Sequence, residues 1–221
     1  QVAAVDTQGR AAAHTGSGCI AAAGHHVGEG YSVQANMMTH TTVVDAMYQG
    51  YEQTSGDLAR RMLAALEAAQ SEGGDIRGMQ SAALVIVPGD ISKPEWTTIY
   101  DLRVDEHDNP LAELARLVRL RAAQLVNGRG HDALAAGNRA EALALWAQAR
   151  AQAPELEELP FWQALDLADA HADIQAAAAI LRPALAATPR RDHWLDLIQR
   201  LSVCGLIERE NAGEELLAAL L

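Results

Sequence analysis

The chain has 221 residues, with 17 lysines and arginines against 29 aspartates and glutamates, so its formal net charge at pH 7 is −12. This charge argues against nucleic acid or an anionic membrane surface as the main partner, because both would repel the protein. A small-molecule substrate or a protein partner remains. Two cysteines far apart, Cys19 and Cys204, predict reduced thiols and a cytoplasmic protein, and no apolar run reaches the roughly 18 residues of a membrane span.

The first part of the chain predicts short strands joined by glycine-rich loops. Residues 2–5 and 11–15 flank a polar turn and predict a β-hairpin, and residues 20–23 and 31–34 predict further strands. Residues 24–30 are predicted to form a solvated loop, because their adjacent histidines match no metal-ligand pattern. His14 and Thr15 are candidate acid, base or binding groups, and Asn36 is either a substrate-orienting amide or a turn former.

Two helices are predicted next. Thr42 and Asp45 form an N-terminal cap signal, and apolar residues recur at helical spacing from Val44 to Tyr51. After a polar break at residues 54–57, residues 58–69 again show one apolar face. The second helix therefore ends near residue 71, immediately before a glycine-rich stretch.

That stretch, residues 73–81, is the best candidate for a functional site. Its three glycines permit tight turns, and it holds Asp75, Arg77 and Gln80 immediately ahead of an apolar strand at residues 81–87. Arginine offers a planar fork that suits carboxylates and other oxyanions. The alternative is a structural turn in which Asp75 and Arg77 pair only with each other.

The composition changes after a further predicted strand at residues 97–104. Residues 105–108 are interpreted as an acidic loop rather than a cation site, and Asn109 and Pro110 predict the start of a helix. That helix is expected to end at a linker over residues 127–130, which contains two glycines. We therefore predict domains at residues 1–127 and 128–221.

The second domain shows a loose helical repeat. The segment that begins at Leu134 recurs from Leu167, and Trp162-x-x-Leu165 recurs as Trp194-x-x-Leu197. The spacing is similar to the tetratricopeptide helical hairpin of about 34 residues, whose stacks present a concave binding surface. The alternative is a plain helical extension that caps the first domain or joins two copies into a homo-oligomer.

Four ordered segments resemble a known family, the domain-of-unknown-function family DUF1028, over about residues 1–125. The matching residues are His14-Thr15-Gly16 with Cys19, Tyr31-Ser32-Val33-Gln34 with Asn36-Met37, Glu72-Gly73-Gly74-Asp75 with Arg77-Gly78 and Gln80-Ser81-Ala82-Ala83-Leu84, and Asp101-Leu102-Arg103-Val104-Asp105. Some members carry a C-terminal helical extension described as peptidoglycan-binding, which residues 132–221 resemble.

The resemblance implies an α+β fold, namely the four-layer αββα sandwich of N-terminal-nucleophile (Ntn) hydrolases, followed by an all-α extension. Such enzymes use the first residue of the mature chain as nucleophile and its α-amine as base. Members of the family begin with further strands and a helix, whereas this chain starts at Gln1, which has no nucleophilic oxygen or sulfur. The resemblance therefore leads us to expect an incomplete first domain and a separate N-terminal fragment as a partner.

The leading functional hypothesis is an Ntn-type amidohydrolase that acts on a small amide or related C–N bond. Arg77 would bind a substrate carboxylate or ureido oxygen, and Asp75 would bind an amine or orient Arg77. Asn36, Gln80 and His14 would be secondary polar groups, and no metal or cofactor is predicted. The alternative is a binding or assembly module whose helical extension holds a peptide, a glycan or a second subunit.

Overall fold

The computed structural model describes residues 1–90, 92–94 and 96–221, and its strands all lie in the first half of the chain. The chain divides into two compact units, Gln1–Val118 and Arg119–Leu221. The first unit mixes strands and helices, and the second is helical, so the fold is α+β. No helix in the described residues is both long and apolar enough to cross a membrane.

The strands form three separate antiparallel pairs among the described residues. The pairs are β1 (Val2–Val5) with β2 (Ala11–His14), β3 (Gly24–Gly28) with β4 (Tyr31–Ala35), and β5 (Ala82–Ile86) with β6 (Tyr100–Val104). Val2 lies opposite His14, Gly24 opposite Ala35, and Ala82 opposite Val104. Each strand therefore has one edge without a described strand partner.

The structure corrects two predictions between residues 20 and 30. Residues 20–23 do not form a strand, and the predicted loop at residues 24–30 contains β3 instead. Glu29 and Gly30 form the two-residue connection to β4, where Gly30 has a φ of 79°. This is hairpin chemistry that the polar, glycine-rich composition obscured.

Two helices of the first unit pack together, the first also against the β3–β4 pair and the second against β5. They are α1 (Val43–Gln53) and α2 (Leu58–Ser71). Asp57 caps α2 by accepting a hydrogen bond of 2.9 Å from the Arg60 amide. The cap expected at Thr42 is absent, because its hydroxyl instead donates to Oε2 of Glu72 at 2.6 Å.

The helix α3 (Pro110–Ala135) begins as predicted, with Asn109 Oδ1 accepting from the Ala112 amide at 3.1 Å. It then runs without interruption through residues 127–130, so the predicted linker is wrong. Gly130 lies directly under the indole of Trp146, where a Cβ atom would be 2.3 Å from Cδ1. Glycine is thus required here by packing. The border between the two units falls inside this helix, between Val118 and Arg119.

Five further helices complete the second unit and confirm its helical prediction. They are α4 (Arg139–Gln152), α5 (Glu158–Asp169), α6 (Ile174–Ala187), α7 (Arg191–Val203) and α8 (Ala212–Leu220). Trp146 and Phe161 are fully buried in their core, and Trp194 packs against Phe161 and donates to Glu157 at 2.7 Å. Only Trp162 of the helical tryptophans is substantially exposed, at 46%.

Candidate functional site

The glycine-rich stretch after α2 is fastened to the chain between β4 and α1. The Thr39 amide donates to the Gly74 carbonyl and the Ile76 amide donates to the Met37 carbonyl, both at 2.9 Å. Gly73 and Gly74 have φ values of 102° and 61°, a region that side chains rarely adopt. A Cβ on Gly73 would also lie 2.3 Å from Oγ1 of Thr39. The glycines are therefore needed for the two segments to lie this close.

A second set of contacts holds the same stretch at Glu72. The Glu72 carbonyl lies 2.9 Å from Nδ1 of His40, and its carboxylate accepts from Thr42. Residues 37–42 and residues 72–76, which are distant in sequence, thus lie side by side.

These two segments border a cleft of about 530 Å³ within the first unit. Asn36, Asp75, Arg77 and Gln80 all line it, so four of the five predicted site residues lie around one space. The lining also includes apolar residues, among them Met38, Met47, Leu66, Ala69, Met79 and Leu111. A cleft lined by both polar and apolar groups is suited to a small ligand that has both kinds of surface.

Asp75 and Arg77 form a tight pair at the edge of this cleft. Nε and Nη2 of Arg77 donate to the two carboxylate oxygens at 2.9 and 2.7 Å, and the Arg77 amide donates to Oδ1 at 2.8 Å. The side-chain and then the backbone hydrogen bonds from Arg77 lower the pKa of Asp75 from 3.8 to about 2. The same contact raises the pKa of Arg77.

The pairing expected of a structural turn is therefore present, but it leaves part of the guanidinium available. The Arg77 side chain is 68% exposed, whereas that of Asp75 is 27% exposed. Nη1 of Arg77 makes no hydrogen bond within the described part of the chain. Arg77 can therefore still donate to an oxyanion while Asp75 fixes its orientation.

Asn36 and Gln80, the two predicted site residues with amide side chains, differ in how many hydrogen bonds those side chains make. Oδ1 of Asn36 is buried and has no hydrogen-bond partner among the described residues, which is uncommon for a buried acceptor. Gln80 is exposed and donates through Nε2 to Glu106 at 3.0 Å. Asn36 is thus the amide with unused hydrogen-bonding capacity at this site.

His14 does not join the cleft, although the residue after it takes part in an adjoining network. His14 is exposed on β2, whereas Thr15 Oγ1 lies 2.8 Å from Nδ1 of His25. Gln1, which does line the cleft, donates through Nε2 to Thr15 Oγ1 at 2.9 Å and to the Ala35 carbonyl at 3.1 Å. A hydroxyl bonded to an imidazole is the arrangement that activates hydroxyl nucleophiles.

The sequence pattern makes Thr15 a candidate but does not indicate His25 as its partner, because residues 24–30 resemble a loop. A strand at Gly24–Gly28 instead directs His25 and His26 to opposite faces, so His26 contacts Asp45 at 2.6 Å while His25 contacts Thr15. Nε2 of His25 has no partner in the described residues, so no acidic group orients the imidazole. No group of three or more His, Cys, Asp or Glu side chains that could hold a metal ion occurs in this described part.

The fold and the cleft define an α+β domain with a small-molecule-sized polar site, and the family comparison agrees with the sequence resemblance. The model of the Family of unknown function (DUF1028) matches residues 1–114, slightly more than half of the 221 residues, and the chain belongs to this family.

The solved structure of the protein SPO2555 from Silicibacter pomeroyi, which carries the same family name, is 32% identical to this chain with a TM-score of 0.44. The match covers 53% of this chain and 49% of that one, so this chain spans about half the length of the relative. No curated protein matches the chain.

Proposed function

We propose that the first unit belongs to an Ntn-type amidohydrolase that cleaves a small amide or related C–N bond. The observation that supports this best is the cleft whose lining contains the Asp75–Arg77 pair together with apolar residues. In the proposal, Nη1 of Arg77 binds a carboxylate or ureido oxygen of the substrate. The Asp75 carboxylate holds the guanidinium in position and attracts a substrate amine.

The remaining predicted residues have subordinate roles in this proposal. Asn36 supplies the unused acceptor Oδ1, which suits an N–H of an amide or ureido group once the substrate enters. Gln80 offers its side-chain oxygen Oε1, because its side-chain nitrogen Nε2 is held by Glu106. His14 lies outside the cleft lining and would act only on a substrate that extends beyond the cleft.

We further propose that the nucleophile is carried by a polypeptide segment that binds in a second groove of the first unit. This groove, of about 670 Å³, is lined by residues of β1, β4 and β5, each of which has an edge without a described strand partner. None of the lining residues is charged. An extended apolar segment would pair with these edges and join the separate ladders into the sheets of an αββα sandwich.

The first test is the intact mass of every polypeptide in the purified protein, together with N-terminal sequencing. A copurifying chain that begins with Thr, Ser or Cys would support the Ntn mechanism. If every polypeptide in a preparation active on amides lacks such a terminus, the mechanism is wrong.

The second test concerns the residues of the cleft and uses a screen of small amides and ureides. Arg77→Ala is expected to raise KM for a carboxylate-bearing substrate about tenfold or more, because a charge-assisted hydrogen bond is lost. Arg103→Ala is the matched control, since Arg103 also pairs with an aspartate two residues away and is 70% exposed, but lies outside the cleft lining. Equal kinetics for the two variants would remove Arg77 from the site.

The rival proposal is a binding or assembly module that acts through the helical unit, and it is supported by the exposed indole of Trp162 on α5. Light scattering after size exclusion would test assembly as a homo-oligomer. A dimer that becomes a monomer on Trp162→Gln would favour this rival over the hydrolase.

The cytoplasmic location also stands as a proposal. It is supported by the free thiols of Cys19 and Cys204, because a reducing compartment keeps thiols unpaired.

A further inference from the structure

A second candidate binding site lies in the helical unit, where an arginine faces an apolar pocket. The pocket has a volume of about 390 Å³, which is within the range of small-ligand sites. Arg150, near the end of α4, is its only charged lining residue. The other lining residues are apolar and include Pro154, Leu156, Pro160, Ile180 and Pro183.

Arg150 has no carboxylate partner among the described residues. Its guanidinium is half-buried, and its one hydrogen bond is donated by Nη1 to Oε1 of Gln163. Two of the acidic residues that follow α4 are engaged elsewhere, because Glu155 pairs with Arg119 and Glu157 pairs with Arg190. Burial without a counter-ion lowers the pKa of Arg150. A half-buried cation in apolar surroundings is costly unless an anion pairs with it.

The contact with Gln163 fixes the direction of the guanidinium without neutralising its charge. Gln163 is fully buried, and its Nε2 donates to Oδ1 of Asn127 at 2.6 Å, so its carbonyl end must face Arg150. Asn127 in turn lies 3.1 Å from His131, whose Nδ1 contacts Asp166 at 2.8 Å. This chain of bonds across α3, α4 and α5 holds Nη1, while Nε and Nη2 have no partner in the described residues.

We propose that this pocket binds a small carboxylic acid with an apolar body. The carboxylate accepts hydrogen bonds from the free side of the Arg150 guanidinium, which offers a planar fork. The apolar body lies against the proline-rich wall, where water exclusion strengthens the ion pair. Because Arg150 is held in place before the ligand arrives, little side-chain entropy is lost on binding. This site is independent of the cleft in the first unit.

The test is calorimetric titration of the full chain with octanoate and with octanamide, which have the same apolar body but differ in charge. We expect octanoate to bind at least about tenfold more tightly than octanamide, since only the carboxylate pairs with Arg150. Equal affinities, or no octanoate binding at millimolar concentration, would overturn the proposal.

Variants then assign the effect to the pocket. Arg150→Met should weaken octanoate about tenfold or more and leave octanamide unchanged. Arg200→Met, which removes an exposed arginine paired with Asp196, should change neither affinity. Ala179→Phe fills the pocket from an exposed position of α6 and should weaken both ligands while Arg150 stays in place. Unaltered octanoate affinity in both pocket variants would show that the ligand binds elsewhere.

Discussion

Two glycines two residues apart on α3 should respond to alanine in opposite directions. Gly130 lies against Trp146, so that an added Cβ would be 2.3 Å from Cδ1 and 2.5 Å from Nε1 of the indole. Gly128 is on the same helix with nothing within 4 Å of its added Cβ. The pair therefore separates the effect of packing from the effect of helix propensity.

The indole cannot easily move aside for a methyl group at Gly130. Trp146 is fully buried, its Nε1 donates to the Asn127 carbonyl at 3.2 Å, and its ring lies edge-on to His131 with centroids 4.9 Å apart. Overpacking of this kind costs up to about 3 kcal/mol, and replacing glycine in a helix returns about 1 kcal/mol. We expect Gly130→Ala to lower the free energy of unfolding by about 2 kcal/mol and Gly128→Ala to raise it by up to about 1 kcal/mol.

Urea unfolding, monitored by tryptophan fluorescence, measures both changes in the free energy of unfolding of the helical unit. Of the four tryptophans, three lie in the helical unit and one of these is the buried Trp146 itself. If Gly130→Ala is as stable as Gly128→Ala, the indole does not cover α3 as described. If Gly128→Ala gives no gain, residues 127–130 do not form a continuous helix in solution.

The other predictions concern the first unit. Asp75→Asn should destabilise the turn by about 1 kcal/mol at pH 7. A fall in the pKa of Asp75 from 3.8 to about 2 corresponds to about 2.4 kcal/mol of stabilisation of the ionised carboxylate, but solvent around the exposed Arg77 screens the interaction and reduces this value. Because the folded-state pKa is the lower one, wild type and variant should converge between about pH 4 and pH 2, as read by amide exchange at Thr39 and Ile76. Thr15→Val should leave amide hydrolysis intact if a separate N-terminal residue is the nucleophile; a loss of about a thousandfold in kcat would instead make the Thr15 hydroxyl the reacting group.

Local signals in the sequence predicted the elements that depend on local chemistry. Asn109 and Pro110 start α3 because the cap and the fixed proline φ act within one turn. The first hairpin and the helices α1 and α2 follow from alternation and helical spacing in the same way. These features need no distant partner to form.

The errors occurred where glycine-rich composition resembles a loop but side-chain packing or strand pairing decides the structure. The glycines at residues 127–130 resemble a linker, but Trp146, far along the chain, covers Gly130 and keeps the helix continuous. The histidines of β3 resemble a loop until β4 supplies a hydrogen-bonding partner strand. Sequence composition favours turns in both cases, and tertiary packing overrides it.

The candidate site likewise has parts that the local sequence indicates and parts that it does not. The stretch with Asp75 and Arg77 is recognisable because glycines and charged groups occur within a few residues, and it lies with Asn36 in the lining of one cleft. The Thr15–His25 contact does not follow from the sequence pattern, because it joins the residue after β2 to β3, and these strands belong to different pairs. Of the two candidates His14 and Thr15, only Thr15 takes part in the hydrogen-bond network with Gln1 and His25.

The low pKa of Asp75 limits the acid–base chemistry that the cleft can supply by itself. A general base works best when its pKa lies near the operating pH, and a carboxylate with a pKa of about 2 is too weak a base to remove a proton from water or a hydroxyl at pH 7. Arg77, whose pKa is raised by the same contact, is equally unable to act as an acid. The pair therefore recognises and orients a ligand. A hydrolase built on this cleft would have to take its base from another group, and the α-amine of the proposed N-terminal segment is one such group.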